Sequence, residues 1–396
     1  PADAAPAPIA ESTALASVPY TLPGAGQAVS IGTNVASSIR PANISRLLWG
    51  YSLFQSFGTG AFVPDFSKAG AFAIAGTGGH AAPGTVDAAV FDFSDATWKL
   101  VSNSNGIASR ADDYNESETT GAPYFELPGA RAGQVPAPPH VYALTSYIPA
   151  SHGGGPKGSF LKMGSPAVTV QSRQGGGIHK MDLDTGLWTR VTNDTLPFAG
   201  GEYEASTVLD PQQGRYYFIV DTFHSHTSLP YLDLADLKVK QTPTYPYPKQ
   251  LAPSYTTYQT VFLDPVRRLL IAQRPGLPMQ ALDLNDIATG WRVLTSTGTQ
   301  PSSANRWAFY PPDGRFYTRT NNSGQTLYRL TPPSDWKTGT WTFDTVTITG
   351  ASMPDFTNSA GSGVRHYGTF FYVPALRSLA WISGEDTPVV LLKPPA

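Results

Sequence analysis

The chain has 396 residues, 41 % of them hydrophobic and 12 % aromatic, with 38 glycines, 36 prolines and no cysteine. That is enough apolar material for a large, turn-rich core, and it excludes disulfides, thiolate metal centres, iron–sulfur clusters and a cysteine nucleophile. Charged residues make up 14 % and the formal net charge is −2, so a surface of clustered Lys and Arg, and with it a nucleic-acid partner, is not expected. No run reaches the ~18 apolar residues of a membrane-spanning helix, and membrane insertion is not expected either.

Residues 1–44 read as a Pro/Ala-rich extended arm, without the basic and apolar regions of a signal peptide. Within the arm, 27–35 (QAVSIGTNV) has the texture of a strand. From residue 45 to 396, short β-branched and aromatic runs alternate with Gly, Pro, Asn and Asp turns, and no long amphipathic helix appears. This stretch reads as one all-β unit.

Two elements alternate through it. The first is an apolar run, a turn, and a second apolar run. It occurs as FVPDFSKAGAFAIAG at 62–76, YIPASHGGGPKGSFLKM at 147–163 and VLDPQQGRYYFIV at 208–220. It recurs as FLDPVRRLLIA at 262–272, FYPPDGRFYTRT at 309–320 and YVPALRSLAWISG at 372–384. The prolines Pro64, Pro149, Pro211, Pro265, Pro312 and Pro374 are taken as the turn anchors, because proline presets the φ of a turn.

The second element follows each copy as VFDFSDATWKLV at 90–101, KMDLDTGLWTRV at 180–191, YLDLADLKVKQ at 231–241, ALDLNDIATGWRV at 281–293 and YRLTPPSDWKTGTWTF at 328–343. Its last copy, VVLLKPP at 389–395, stops after one strand. Asp92, Asp182, Asp233 and Asp283 fall in register and suit turn hydrogen bonding; Trp98, Trp188, Trp291 and Trp341 suit packing between sheets.

Each pair of elements makes four short strands, which is one propeller blade, and the period is near 50 residues. The segments ANRWAFYPPDGRFYT and VRHYGTFFYVPALRSLAW, with double-glycine segments at 76–80 and 174–179, resemble kelch-repeat propellers, in particular the galactose-oxidase-type central domain. The resemblance implies a six-bladed kelch-like β-propeller over 45–396. A seventh blade assembled from 45–57 and part of 103–137 is the alternative. The missing last strand is expected from 27–35, beside 389–393.

The resemblance also places one face, on which inner strands begin and second-to-third strand loops cluster. It brings Tyr203, Tyr258, Arg306, Trp307, Arg365 and His366 to that face as ligand-binding residues, since aromatic planes stack on sugar rings and Arg offers forked donors. Asp221, His224 and His226 alternate on one side of a strand and form a weak metal-ligand pattern. No other cofactor is expected. Galactose-oxidase-type enzymes use a Tyr–Cys crosslinked radical, which this cysteine-free chain cannot form.

The expected function is a non-catalytic binding or structural propeller, extracellular, on a cell surface or in a virion. Its partner is a glycan or a protein surface, with assembly through the N-terminal arm. Sequons at Asn43, Asn115, Asn193 and Asn321 are compatible with that location. The alternative is a carbohydrate-active or copper-oxidase-like enzyme on the same loop face.

Overall fold

The computed structural model describes residues 15–39, 60–75, 88–101, 124–126, 134–136, 145–164, 177–192, 206–219, 227–246, 260–273, 277–301, 307–320, 324–355 and 368–396. Six small antiparallel sheets form a ring, a six-bladed β-propeller, and helix among the described residues is confined to short 3-10 turns. Blade 1 runs Gly60–Val63, Ala71–Ala75, Ala88–Asp92 and Thr97–Leu100 from axis to rim. Blade 2 runs Thr145–Ile148, Ser159–Gly164, Gly177–Asp182 and Trp188–Thr192. Blade 3 is Ser206–Asp210, Arg215–Ile219, Pro230–Asp233 and Lys238–Gln241. Blade 4 is Thr260–Asp264, Leu269–Gln273, Gln280–Asp283 and Arg292–Val293. Blade 5 is Ala308–Tyr310, Arg315–Thr318, Thr326–Thr331 and Trp341–Thr347, with Ser296–Thr297 added in parallel at its rim. Within 103–137, Tyr124–Glu126 pairs with Gln134–Pro136 as a small hairpin; residues 45–57 lie outside the described residues.

Blade 6 supplies Phe370–Val373, Ser378–Trp381 and Val389–Leu392, and its outermost long strand comes from the other end of the chain. Gln27–Ile31 lies antiparallel to Val389–Leu392, from Ala28 opposite Leu392 to Ile31 opposite Val389. Thr349–Gly350 then pairs in parallel with Gln27–Ala28 and covers the start of the strand's outer edge. The strand stops short of residue 35. At Gly32 the backbone takes φ +132°, and residues 33–39 turn onto blade 1. There the Thr33 amide donates to Ala96 O (2.9 Å), while the Asn34 carboxamide donates to Trp98 O (3.0 Å) and accepts from the Trp98 amide (2.7 Å). Upstream, the Ala16 amide donates to Ala375 O (2.9 Å) and the Tyr20 hydroxyl donates to Phe93 O.

The repeated turns follow from local chemistry. In blades 1 to 4 the aspartate that ends the third strand accepts backbone amides two or three residues on: Ser94 on Asp92, Asp184 and Thr185 on Asp182, Ala235 on Asp233 and Asn285 on Asp283. Between first and second strands, one turn position needs φ > 0. Gly214 and Gly314 fill it in blades 3 and 5, but arginine fills it in blades 4 and 6, with φ +61° at Arg268 and +45° at Arg377. Left-handed backbone costs a non-glycine residue about 1–2 kcal/mol. Arg268 has a compensating contact: its guanidinium makes a bidentate, buried ion pair with Asp210 of blade 3, with Nη2 2.6 Å from Oδ2.

The apolar core lies between blades. Trp98 packs toward blade 6, Trp188 toward blade 1, Trp291 toward blade 3 and Trp341 toward blade 4, so each indole faces the preceding blade. Ala61, Ala71, Ala73 and Ala88 give blade 1 a shallow face, into which blade 2 sets Phe160, Met181 and Trp188. Phe160 and Met181 are cross-strand partners. Two residues along, Lys162 and His179 are partners on the same side, with Thr145 opposite Lys162 on the inner strand. All three are buried, Lys162 to 2 % exposure. Burial lowers the Lys162 ammonium from its ordinary 10.5 to about 7.

Candidate functional site

The innermost strands are in register around the axis, and the turn proline gives the count. The residue two before it is Phe62, Tyr147, Leu209, Leu263, Phe309 or Tyr372 in successive blades, and every one is large and half-buried. In blade 5 the in-register proline is Pro311 rather than Pro312, because Tyr310 pairs with Arg315 as Asp264 pairs with Leu269. All six sit at one level, one per blade, and their side chains pack into the cores between blades.

From this level toward the ends where the inner strands begin lies a cavity of about 240 Å³, lined by residues of all six blades. Its wall is built from the third and fourth residues before the turn, among them Ala61, Ser146, Val208, Phe262, Ala308 and Phe371. Gly60, Thr207, Trp307 and Gly368 stand at its rim. A side chain at residue 60 does not fit, since a Cβ there would sit 2.1 Å from the Phe72 ring and 2.8 Å from Ala73 O. The described side chains lining the cup are uncharged. Each inner strand is a sheet edge, so alternate backbone N–H and C=O groups face the axis. In blade 2 these groups are taken up by the next blade: the Tyr147 amide donates to the Tyr216 hydroxyl (3.2 Å), which donates to Tyr147 O.

Trp307 lines this cavity. It is 5 % exposed and packs against Phe262 and Phe343, with ring centroids 5.8 and 5.9 Å away. Its indole N–H donates to Gln273 Oε1 (3.3 Å), and Gln273 Nε2 donates to Pro301 O (3.4 Å). The indole is therefore a wall of the cup and a joint between blades 4 and 5, not an open stacking plane. Tyr203, Tyr258, Arg306, Arg365 and His366 lie outside the described residues, as do Asp221, His224 and His226. Arg306 is the residue before Trp307, and Arg365 and His366 closely precede Gly368.

Two further buried polar residues follow second strands, Arg319 in blade 5 and Glu385 in blade 6. Arg319 occupies in blade 5 the strand position of Gln273 in blade 4. Fully buried, it lies 4.6 Å from the Trp381 ring centroid of blade 6 and donates to Met353 O (2.5 Å), Pro354 O (3.2 Å) and Asp355 Oδ1 (2.8 Å). The Trp381 indole donates to the same Pro354 carbonyl (2.9 Å). Arg319 shares a strand face with Tyr317, which is fully buried as well, and the neighbouring blade makes that face interior. Glu385 sits in the turn after the second strand of blade 6, and its carbonyl accepts the Ser37 amide (3.0 Å), which ties the N-terminal segment to this face.

Comparison with known proteins gives similarity of structure only. A protein of unknown function from Bacteroides thetaiotaomicron is similar at TM-score 0.46 and 12 % identity, over 92 % of this chain and 74 % of that one. Sqt1 of Saccharomyces cerevisiae is similar at TM-score 0.39 and 11 % identity, over 82 % and 69 %. A chain of a mitotic checkpoint complex is similar at TM-score 0.41 and 8 % identity, over 96 % and 98 %. No protein-family model matches the chain, and a search of curated proteins finds no match.

Proposed function

We propose that the chain is a non-catalytic binding or structural module of a cell surface, an extracellular assembly or a virion, and that it recognises a glycan through the face on which its inner strands begin. The observation that carries this reading is the axial cup: all six blades converge on one concavity with an aromatic and aliphatic wall, the general form of a ligand site. Arg306, directly before Trp307, and Arg365, His366, Tyr258 and Tyr203, which precede inner strands by a few residues in sequence, bring forked donors and rings suited to saccharides. The low charge and the sequons support the location, and the blade period with its aspartate turns supports a kelch-type repeat. No helix among the described residues is long and apolar enough to cross a membrane.

The test is a glycan array with the intact chain, followed by titration of the retained glycan against Tyr258→Ala, Arg306→Ala and Arg365→Ala. Truncating an aromatic or arginine side chain at the centre of a binding surface costs about 2 kcal/mol, or ~30-fold in affinity. Thermal melts verify folding. Unchanged affinity in all three folded variants, or an array with no retained glycan, overturns the reading.

A further inference from the structure

The seam between blades 6 and 1 is a receptor for a chain segment that is contiguous with neither blade. Residues 15–39 meet blade 6 at Ala375 O, Glu385 O and the Val389–Leu392 ladder, and blade 1 at Phe93 O, Ala96 O and Trp98. Ile31 and Ala36 enter the core between those two blades, and Ala28 enters the core between blades 5 and 6. Without the segment, blades 1 to 5 keep all their own strands. Blade 6 is left with a bare edge of four buried apolar residues, Val389, Val390, Leu391 and Leu392. An uncharged, β-prone edge of this kind pairs readily with another strand. The fit is nonetheless particular. It needs a small residue at 28, a left-handed bend at Gly32, and at 34 a carboxamide that both donates to and accepts from the Trp98 backbone. A second copy of this chain carries that combination by definition.

We propose that the seam accepts residues 15–39 of a second copy, so that two chains close each other's rings by reciprocal strand exchange. The exchanged pair makes the same contacts through the same atoms, so concentration decides between the two forms. Extended chain covers ~3.4 Å per residue, and the residues 40–59 that join the segment to blade 1 set its reach at no more than about 70 Å. A tethered strand competes for its own ring at an effective concentration of about 1 mM. About one chain in a hundred therefore exchanges at ~10 µM, and a large fraction does so near ~1 mM. Copies crowded on a surface or in an assembly approach the second regime. Each copy offers one arm and one edge, so reciprocal exchange closes at a pair, and exchange without return runs on into a chain of copies. The inference goes beyond the glycan reading and does not rest on it.

The chain has no cysteine, so a pair of introduced cysteines reports a single contact. Ser30 lies directly opposite Val390 across the seam, a placement that a disulfide spans. Full-length chains with Ser30→Cys and with Val390→Cys, carrying different tags, are unfolded together in urea, refolded at about 10 µM to about 1 mM and oxidised. A disulfide-linked heterodimer is expected, its share rising at least ~tenfold across that range. A chain with both substitutions, refolded dilute, is expected to close within itself. Ser30→Cys mixed with Val266→Cys, which is exposed on the blade 4 turn, gives the background from random collision. Light scattering on the refolded parent chain, free of any substitution, is expected to show a dimer whose share rises in parallel. Three results would each overturn the proposal: no heterodimer above background while the double variant closes within itself, a share that does not rise with concentration, or a parent chain that refolds as monomer throughout.

Discussion

Replacing Lys162 by methionine is expected to remove a distinct slope from the pH dependence of stability. The side chain is buried between blades 1 and 2, and burial holds its folded-state pKa near 7, against 10.5 for an exposed lysine. Between those two values the unfolded chain carries a proton that the folded chain has given up. Stability therefore rises with pH through the window, is complete above about pH 10.5, and is lost as the pH falls toward 7. Linkage puts the gain between pH 7 and pH 9 at about 2 kcal/mol from this one group, and the full span at about 5 kcal/mol. Methionine keeps the length of the stem and cannot take up a proton, so the variant should be more stable than the parent at pH 7, by about 1–4 kcal/mol, and nearly equal to it at high pH. Urea denaturation of both proteins at several pH values between about 6 and 9 reads the slope directly. Parallel stability–pH curves for parent and Lys162→Met would refute the reasoning, since they would mean that the lysine titrates alike in the folded and unfolded chains.

Asp210→Asn leaves the Arg268 guanidinium buried without its counter-charge and should cost about 3–5 kcal/mol in chemical denaturation, whereas loss of a surface pair such as Lys157–Asp184 should cost under about 1 kcal/mol. Trp307→Ala empties a packed site between Phe262 and Phe343 and should lower stability by about 3–5 kcal/mol; an equal melting temperature would mean the indole is not part of the joint. Truncation to residue 40 removes the Ala28–Ile31 ladder and the 33–39 clasp on blade 1, and should cost at least about 3 kcal/mol; a melting temperature identical to that of the full chain would contradict the closure described above.

Much of the architecture is legible because most blades repeat the same local devices. A large residue two before a proline, an aspartate at the end of the third strand and a tryptophan opening the fourth are short-range signals, and each has a local physical cause. What escapes the sequence depends on the neighbouring blade. The burial of Lys162, Arg319 and Gln273 depends on the alanine-rich sheet or the tryptophan that closes over them from the next blade, which nothing local in the sequence announces. Trp307 beside Arg306 reads as an open aromatic plane, yet the register of the inner strands makes it part of a wall. The doubled proline at 311–312 shifts the apparent anchor of blade 5 by one residue, and only strand pairing resolves it. The run 27–35 reads as one strand, but Gly32 divides it between two blades. The remaining candidate residues, Tyr203, Tyr258, Arg306, Arg365 and His366 with Asp221, His224 and His226, lie outside the described residues.

The closing strand also sets how the ring bears a mechanical load. Ala28 faces Leu392 and Gly26 donates to Lys393 O (3.0 Å), so both strands of the joint leave it at the same end. Tension between the N-terminal segment and residue 396 therefore arrives at the Ala28–Leu392 pair and opens the ladder one rung at a time, as a zipper, instead of shearing all rungs together. The load first meets the anchors upstream of it, the Ala16 amide on blade 6 and the Tyr20 hydroxyl on blade 1. If the molecule is tethered at its two ends, the other five blades are spared: force is released at the seam, by separating Gln27–Ile31 from Val389–Leu392, before any continuous blade is stretched.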